Sequence, residues 1–256
     1  SLSLLSAVVT ARHDRLGDDG DYRRATVYTS SQAHRAVAKA AALAGIPRDC
    51  VREVDVDDRY RLDPEALRRA IAKDQAKGCR PFLVVTAAGT TNTGAIDPLA
   101  DVADICEAHG LWHHVDGAYG GAFVLCDEGR RRLSGIERAD SITFDPHKGL
   151  FLPLGTGCLL VRDGEALRRA HATTADYLQD FDAVDRSGEP PSPADYGPEL
   201  SRGFRGLRLW LPLTLHGVGP FRRALVEKLE LTERFTNGLR QEIDAGLPVE
   251  IVAEPQ

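Results

Sequence analysis

Hydrophobic positions along the chain follow two patterns: amphipathic stretches with a helical repeat, and short continuous apolar runs of strand length. The helical pattern covers residues 2–14, 31–43 and 164–172, and a segment that begins at Asp63-Pro64-Glu65 and ends near Gly78. At that start Asp is placed to cap, Pro to take the first helical position, and Glu to meet the positive end of the helix dipole. Asp97-Pro98 predicts another helix start by the same logic. Apolar runs at 25–28, 51–56, 82–86, 111–115, 141–144 and 157–161 predict strands. Buried strands separated by helices predict an α/β fold with a mainly parallel, helix-covered sheet. The pattern lapses over 173–201, which is rich in Asp, Pro and Ser, and a structureless segment of that length predicts a functional lid or a disordered stretch. From Arg205 onward it is helical again, interrupted at Gly217 and Gly219-Pro220.

Composition narrows the class. The chain has 256 residues, of which 43% are hydrophobic and 27% charged, as expected of a globular protein with a real core. Its net charge of −6 argues against a non-specific nucleic-acid binder. No apolar run reaches membrane-spanning length, and Arg12 and Arg15 follow the apolar opening instead of preceding it, unlike a signal peptide. The five cysteines, Cys50, Cys79, Cys106, Cys126 and Cys158, are scattered, so reduced thiols and a cytoplasmic location are expected. The absence of methionine predicts a processed chain or a portion of a longer one.

Ligands of such sheets bind beyond the carboxyl ends of the strands. There the chain places His34, the hydroxyl-rich loop Ala88-Gly89-Thr90-Thr91-Asn92-Thr93-Gly94, Asp116-Gly117-Ala118-Tyr119, and Asp145-Pro146-His147-Lys148. Lysine is scarce, and Lys148, unlike Lys39, Lys73, Lys77 and Lys228, follows a buried strand. A lysine suits a pocket where a neutral amine must act as a nucleophile, as in Schiff-base chemistry with a carbonyl cofactor. Asp116 could keep the ring nitrogen of pyridoxal phosphate protonated. Equally, Asp116 could cap a turn and Lys148 pair with it or with Asp145; spacing alone leaves both open. His109, His113 and His114 suggest zinc, but neighbouring strand residues face opposite ways and no cysteine completes a set, so a structural role and no metal are expected.

The segments SSQAHRAVAKAA, AAGTTNTGAIDPLADVADICEAHGLWHHVDGAYGG and ADSITFDPHKGL, followed by GTGCLLVRD, resemble the pyridoxal-phosphate-dependent amino-acid decarboxylases that act on aromatic amino acids, histidine and glutamate. The resemblance continues through DYLQD and FRGLRLWLPLTLHGVGPFRRAL, so it covers nearly the whole chain. It implies a fold-type-I large domain over residues 1–205 with a mobile catalytic loop at about 173–201. Residues 206–256 would be linking helices and the start of a small C-terminal α/β domain, cut short at Gln256. It implies pyridoxal 5'-phosphate as cofactor, an L-amino acid as substrate, and a homodimer with the active site at its interface. Lys148 matches the family's Schiff-base lysine, Asp116 the partner of the ring nitrogen, Ala118 a small residue against the ring, and His34 the histidine stacked on it. Asp145 and His147 match positions at the phosphate or the lysine, and Tyr177 matches a loop tyrosine that reprotonates Cα. The family's threonine near the ring hydroxyl falls at Ala87, with Thr86 one residue earlier. Its phosphate turn and N-terminal dimerisation segment would precede the chain, with Ser1 or Ser3 as a remnant. The implied reaction is release of carbon dioxide. Carbon–carbon lysis, oxidative deamination and a non-catalytic homologue are the alternatives.

Overall fold

The computed structural model describes residues 2–17, 21–172 and 192–256. Its single sheet comprises β1 (Ala25–Ser30), β2 (Val51–Val54), β3 (Arg80–Ala87), β4 (Trp112–Asp116), β5 (Ser141–Phe144) and β6 (Cys158–Val161). The strand order is β2-β1-β3-β4-β5-β6. The first five strands are parallel and β6 runs antiparallel to β5. The order reverses between β1 and β3, the switch point at which an open sheet forms a crevice beyond its strand ends.

The helices are α1 (Leu2–Leu16), α2 (Ala36–Leu43), α3 (Pro64–Ala76), α4 (Leu99–His109), α5 (Asp127–Arg132), α6 (Pro146–Gly149), α7 (Gly164–His171), α8 (Leu207–His216) and α9 (Gly219–Asp244). On one face of the sheet, Leu4, Val8 and Ala11 of α1 pack with Val37 and Ala41 of α2 and Ala166 of α7 over Val27, Leu83, Val85 and Trp112. On the other, Leu67 and Ile71 of α3 and Val102 and Ile105 of α4 cover Tyr28 and Val84. Each fully buried aliphatic side chain contributes about 1.5–3 kcal/mol relative to exposure. Helices α8 and α9 join this body through Leu209, Phe221 and Leu225, which pack against Ala122 and Leu150.

Several expectations are adjusted by local chemistry. The helix expected from residue 31 starts at Ala36, because residues 31–33 form a turn closed by Ala33 N–H to Ser30 O, and His34 Nδ1 accepts the Ala36 N–H. Asp63 caps α3 as expected, accepting from Glu65 N–H at 2.8 Å. Asp97 does not cap α4: the cap position is Pro98, and the Asp97 carboxylate turns into the core. Gly219-Pro220 opens α9 instead of interrupting a helix, which suits a proline lacking an N–H. The five cysteines are free, and no described helix is long and apolar enough to cross a membrane.

Candidate active site

Alternation along the strands selects which side chains reach the crevice. On β3, Leu83 and Val85 face α1, so Ala87 does too, whereas Val84 and Thr86 face α3 and α4. On β4 and β5, His114 pairs with Ser141 and Asp116 with Thr143 on the α1 side. The carboxyl ends of the strands therefore present Ala87, Asp116 and Thr143 to one pocket of about 470 Å³. Its lining also includes Ser3 from the first turn of α1, His34, Ala118, Asp145 and Lys148. Six of the residues expected at the site are thus brought together.

Asp116 is held in a fixed orientation. Its Oδ1 accepts from Ala118 N–H and from the Thr143 hydroxyl, both at 3.1 Å. Lys148 lies on the short turn α6, with Nζ 3.2 Å from Asp145 Oδ2 and its side chain 44% exposed. The ion pair anticipated between Lys148 and an acid is therefore with Asp145. Gly149 lets that turn press on Ala122, whose Cβ would lie 2.5 Å from any Cβ added there. Gly120 does the same for the loop after β4: its N–H donates to Ala88 O at 2.9 Å, and an added Cβ would stand 2.1 Å from that oxygen. Because His34 Nδ1 accepts the Ala36 N–H at 3.1 Å, the neutral imidazole carries its proton on Nε2.

The other expected residues do not line the pocket or lie outside the described residues. Thr86 does not line the pocket; it is buried on the opposite face with its hydroxyl 2.9 Å from His113 Nε2. His147 shares the lysine turn, with its Nε2 3.7 Å from Asp145 Oδ2 and its Nδ1 bonded to Thr156 O at 3.0 Å. Tyr177 and most of the expected lid lie outside the described residues. Conversely, Thr91 and Thr143 line the pocket without having been singled out. Thr91 sat within the hydroxyl-rich loop, and two-residue spacing before Asp145 was the available signal for Thr143.

A larger cavity of about 610 Å³ adjoins the pocket, sharing Gly89, Gly94 and Tyr119. Its charged lining includes the ion pairs Arg132–Glu233, half-buried on the arginine side, and Arg240–Glu254, which is exposed; the amine and the oriented carboxylate lie in the smaller pocket. The histidines of β4 are structural: Ser141 Oγ accepts from Trp112 Nε1 and meets His114 Nδ1, and burial holds both His113 and His114 down to about 3. Among the described residues no cluster could hold a metal ion.

The strand order and the pocket at its switch point define the α/β fold of the fold-type-I pyridoxal-phosphate enzymes. The pyridoxal-dependent decarboxylase conserved domain matches residues 6–256, and the chain belongs to that family. It is 38% identical over 234 residues to an aromatic-L-amino-acid decarboxylase of Bacillus atrophaeus, covering 91% of this chain and 48% of that one. It is 36% identical over 236 residues to a phenylacetaldehyde synthase of Petunia hybrida, covering 91% and 46% respectively. The crystal structure of mouse CSAD superposes with a TM-score of 0.84 at 34% identity, covering 99% of this chain and 52% of that one. The chain spans about half the length of these relatives.

The residues present fit a pyridoxal phosphate group. The pocket has the volume of a small-molecule site. It holds an amine, an oriented carboxylate and three alanines that leave space, and α1 opens beside it with the Ser3 hydroxyl. A helix N-terminus so placed suits a phosphate.

Proposed function

We propose that the protein uses pyridoxal 5'-phosphate, held in this pocket, to decarboxylate an L-amino acid to its amine and carbon dioxide. The reading rests on one observation: Lys148, Asp116, His34 and Ala118, from three separate stretches of chain, line a single pocket at the switch point. When bound, the cofactor supplies an electron sink for the pair released as the carboxylate leaves. Lys148 is the attachment point, and Asp145 beside it stabilises the ammonium form until the proton is passed on. Asp116 holds a proton on the ring nitrogen. Its Oδ1 is engaged by Ala118 and Thr143, so Oδ2 is assigned to that contact. His34, which lines the pocket with Nε2 free of the Ala36 contact, would hold the ring and offer an N–H to the substrate carboxylate. Ala87 and Ala118 leave room for the ring, Ser3 and the start of α1 receive the phosphate, and Tyr177 delivers the proton to Cα. The same reading has a cytoplasmic homodimer with its sites completed across the interface, a use for the exposed Phe204, Trp210 and Leu215.

Decarboxylation with oxidative deamination to an aldehyde, in which dioxygen takes the two electrons and leaves as hydrogen peroxide, is the second reading, favoured by the similar identity to the phenylacetaldehyde synthase, 36% against 38%. Incubating the protein with cofactor and a panel of L-amino acids, and measuring carbon dioxide, amine and ammonia, separates the two. Carbon dioxide with equimolar amine, abolished by Lys148→Ala, is expected. Ammonia matching the carbon dioxide would favour the aldehyde route, and no carbon dioxide from any amino acid would end both. Borohydride reduction and peptide mapping should label Lys148; label on another lysine would refute the site.

A further inference from the structure

The carboxylate of Asp97 is 2% exposed, yet among the described residues it belongs to no ion pair, and it lies outside the pocket. Both its oxygens are used. Oδ1 accepts the Leu62 N–H at 2.7 Å and Oδ2 accepts the Ala87 N–H at 2.7 Å. Its own N–H donates to Ala87 O at 3.0 Å, so Asp97 and Ala87 grip each other through two bonds. The need for this grip is topological. β1 pairs with β3 only as far as Thr29↔Val85, so the N–H two residues on, at Ala87, has no strand partner there and would be a buried orphan. Beyond Ala87 the backbone leads directly to the site: Ala88 N–H donates to Asp116 O at 2.9 Å, and Ala88 O accepts from Gly120 N–H at 2.9 Å.

We infer that Asp97 is a positioning residue, whose ionised carboxylate locks the β3 wall of the pocket to the loop that precedes α3 and thereby holds the backbone around Asp116. The inference rests on the proposed cofactor reading only for its effect on ligand affinity. Two converging N–H donors require a group that only accepts; an asparagine turns its NH₂ toward one of them and orphans it. Burial pushes Asp97 up to about 6. Arg61, whose charge acts to lower it, is already bonded to Asp57, and Asp57 itself raises Asp97 further. Arg59, Asp101, Glu128 and Arg132 complete the charged groups of the cleft on its outer side. The carboxylate is therefore kept ionised at neutral pH against its own burial, as a group needed for its acceptors would be.

The test has two arms on the full chain. In the ¹⁵N-labelled wild-type protein without cofactor, the amide resonances of Leu62 and Ala87 should titrate together with a midpoint of about 6. Absence of a shared titration would overturn the inference. In Asp97→Asn, with circular dichroism unchanged, the dissociation constant for pyridoxal 5'-phosphate should rise about tenfold, the scale of losing a supporting hydrogen bond behind a ligand site. An unchanged constant would equally overturn it. If the variant does not fold, the wild-type titration decides alone. If wild-type protein takes up no cofactor, the proposed function falls while the titration still decides the role of Asp97.

Discussion

The hydroxyl of Thr143 reaches Asp116 because β4 and β5 run in parallel register with those two residues paired. Removing it takes one donor from a carboxylate that must hold its orientation. Thr143→Val should lower kcat/KM for decarboxylation about tenfold, from the loss of about 1.4 kcal/mol. Thr143→Ser, which keeps the donor, should stay within about threefold of wild type. Equal rates for the two variants would show that the bond does not matter to turnover. Lys148, Asp116 and His34 were legible as candidates because each follows a recognisable strand and carries chemistry of its own, whereas Ala118 was singled out only through the family resemblance. Thr143 was not, since its hydroxyl gains meaning only from the neighbouring strand. Thr86 misled for a related reason: one residue along a strand reverses the face, and only the register shows that Ala87 faces the pocket while Thr86 meets His113.

At the level of elements, one dipeptide has two outcomes. Asp63-Pro64 and Asp97-Pro98 look alike, but Asp63 caps α3 near the surface while Asp97 is drawn inward by two otherwise unpaired donors. Asp63→Ala should therefore cost about 1 kcal/mol in urea unfolding and leave cofactor affinity unchanged. A change in affinity would mean that α3 bears on the pocket. Gly120→Ala has the opposite profile. The added carbon would meet Ala88 O at 2.1 Å and force the loops after β3 and β4 apart. Loss of cofactor uptake is expected, and wild-type uptake would contradict the close approach. The helices and strands themselves were largely readable from periodicity. The start of α2 was not, because a side-chain bond from His34 set it.

For the molecule as a whole, pH acts through buried groups. His113 and His114 titrate at about 3 in the fold against 6.5 in an open chain, so the unfolded state binds more protons between those values. Each therefore removes up to about 1.4 kcal/mol of stability per pH unit as the solution is acidified below 6.5. Asp97, raised to about 6 from 3.8, works the other way, since the native state holds the extra proton over that interval. These three groups together leave a loss of about 1.4 kcal/mol per unit between pH 6 and 4, and the lowered His171 adds to it in the same direction. Urea midpoints measured across that range should fall; flat or rising midpoints would refute the buried neutral state of the pair.

The pocket draws its walls from Ser3, His34, Ala87, Asp116 and Lys148, which stretch across more than half the chain. A partly folded intermediate lacking any of β1, β3, β4 and β5 has no complete pocket, so a ligand of this pocket meets its partners only after those four strands have docked. Bound cofactor should then slow unfolding while leaving the refolding rate unchanged, making occupancy a kinetic lock on the native state and not a template for reaching it.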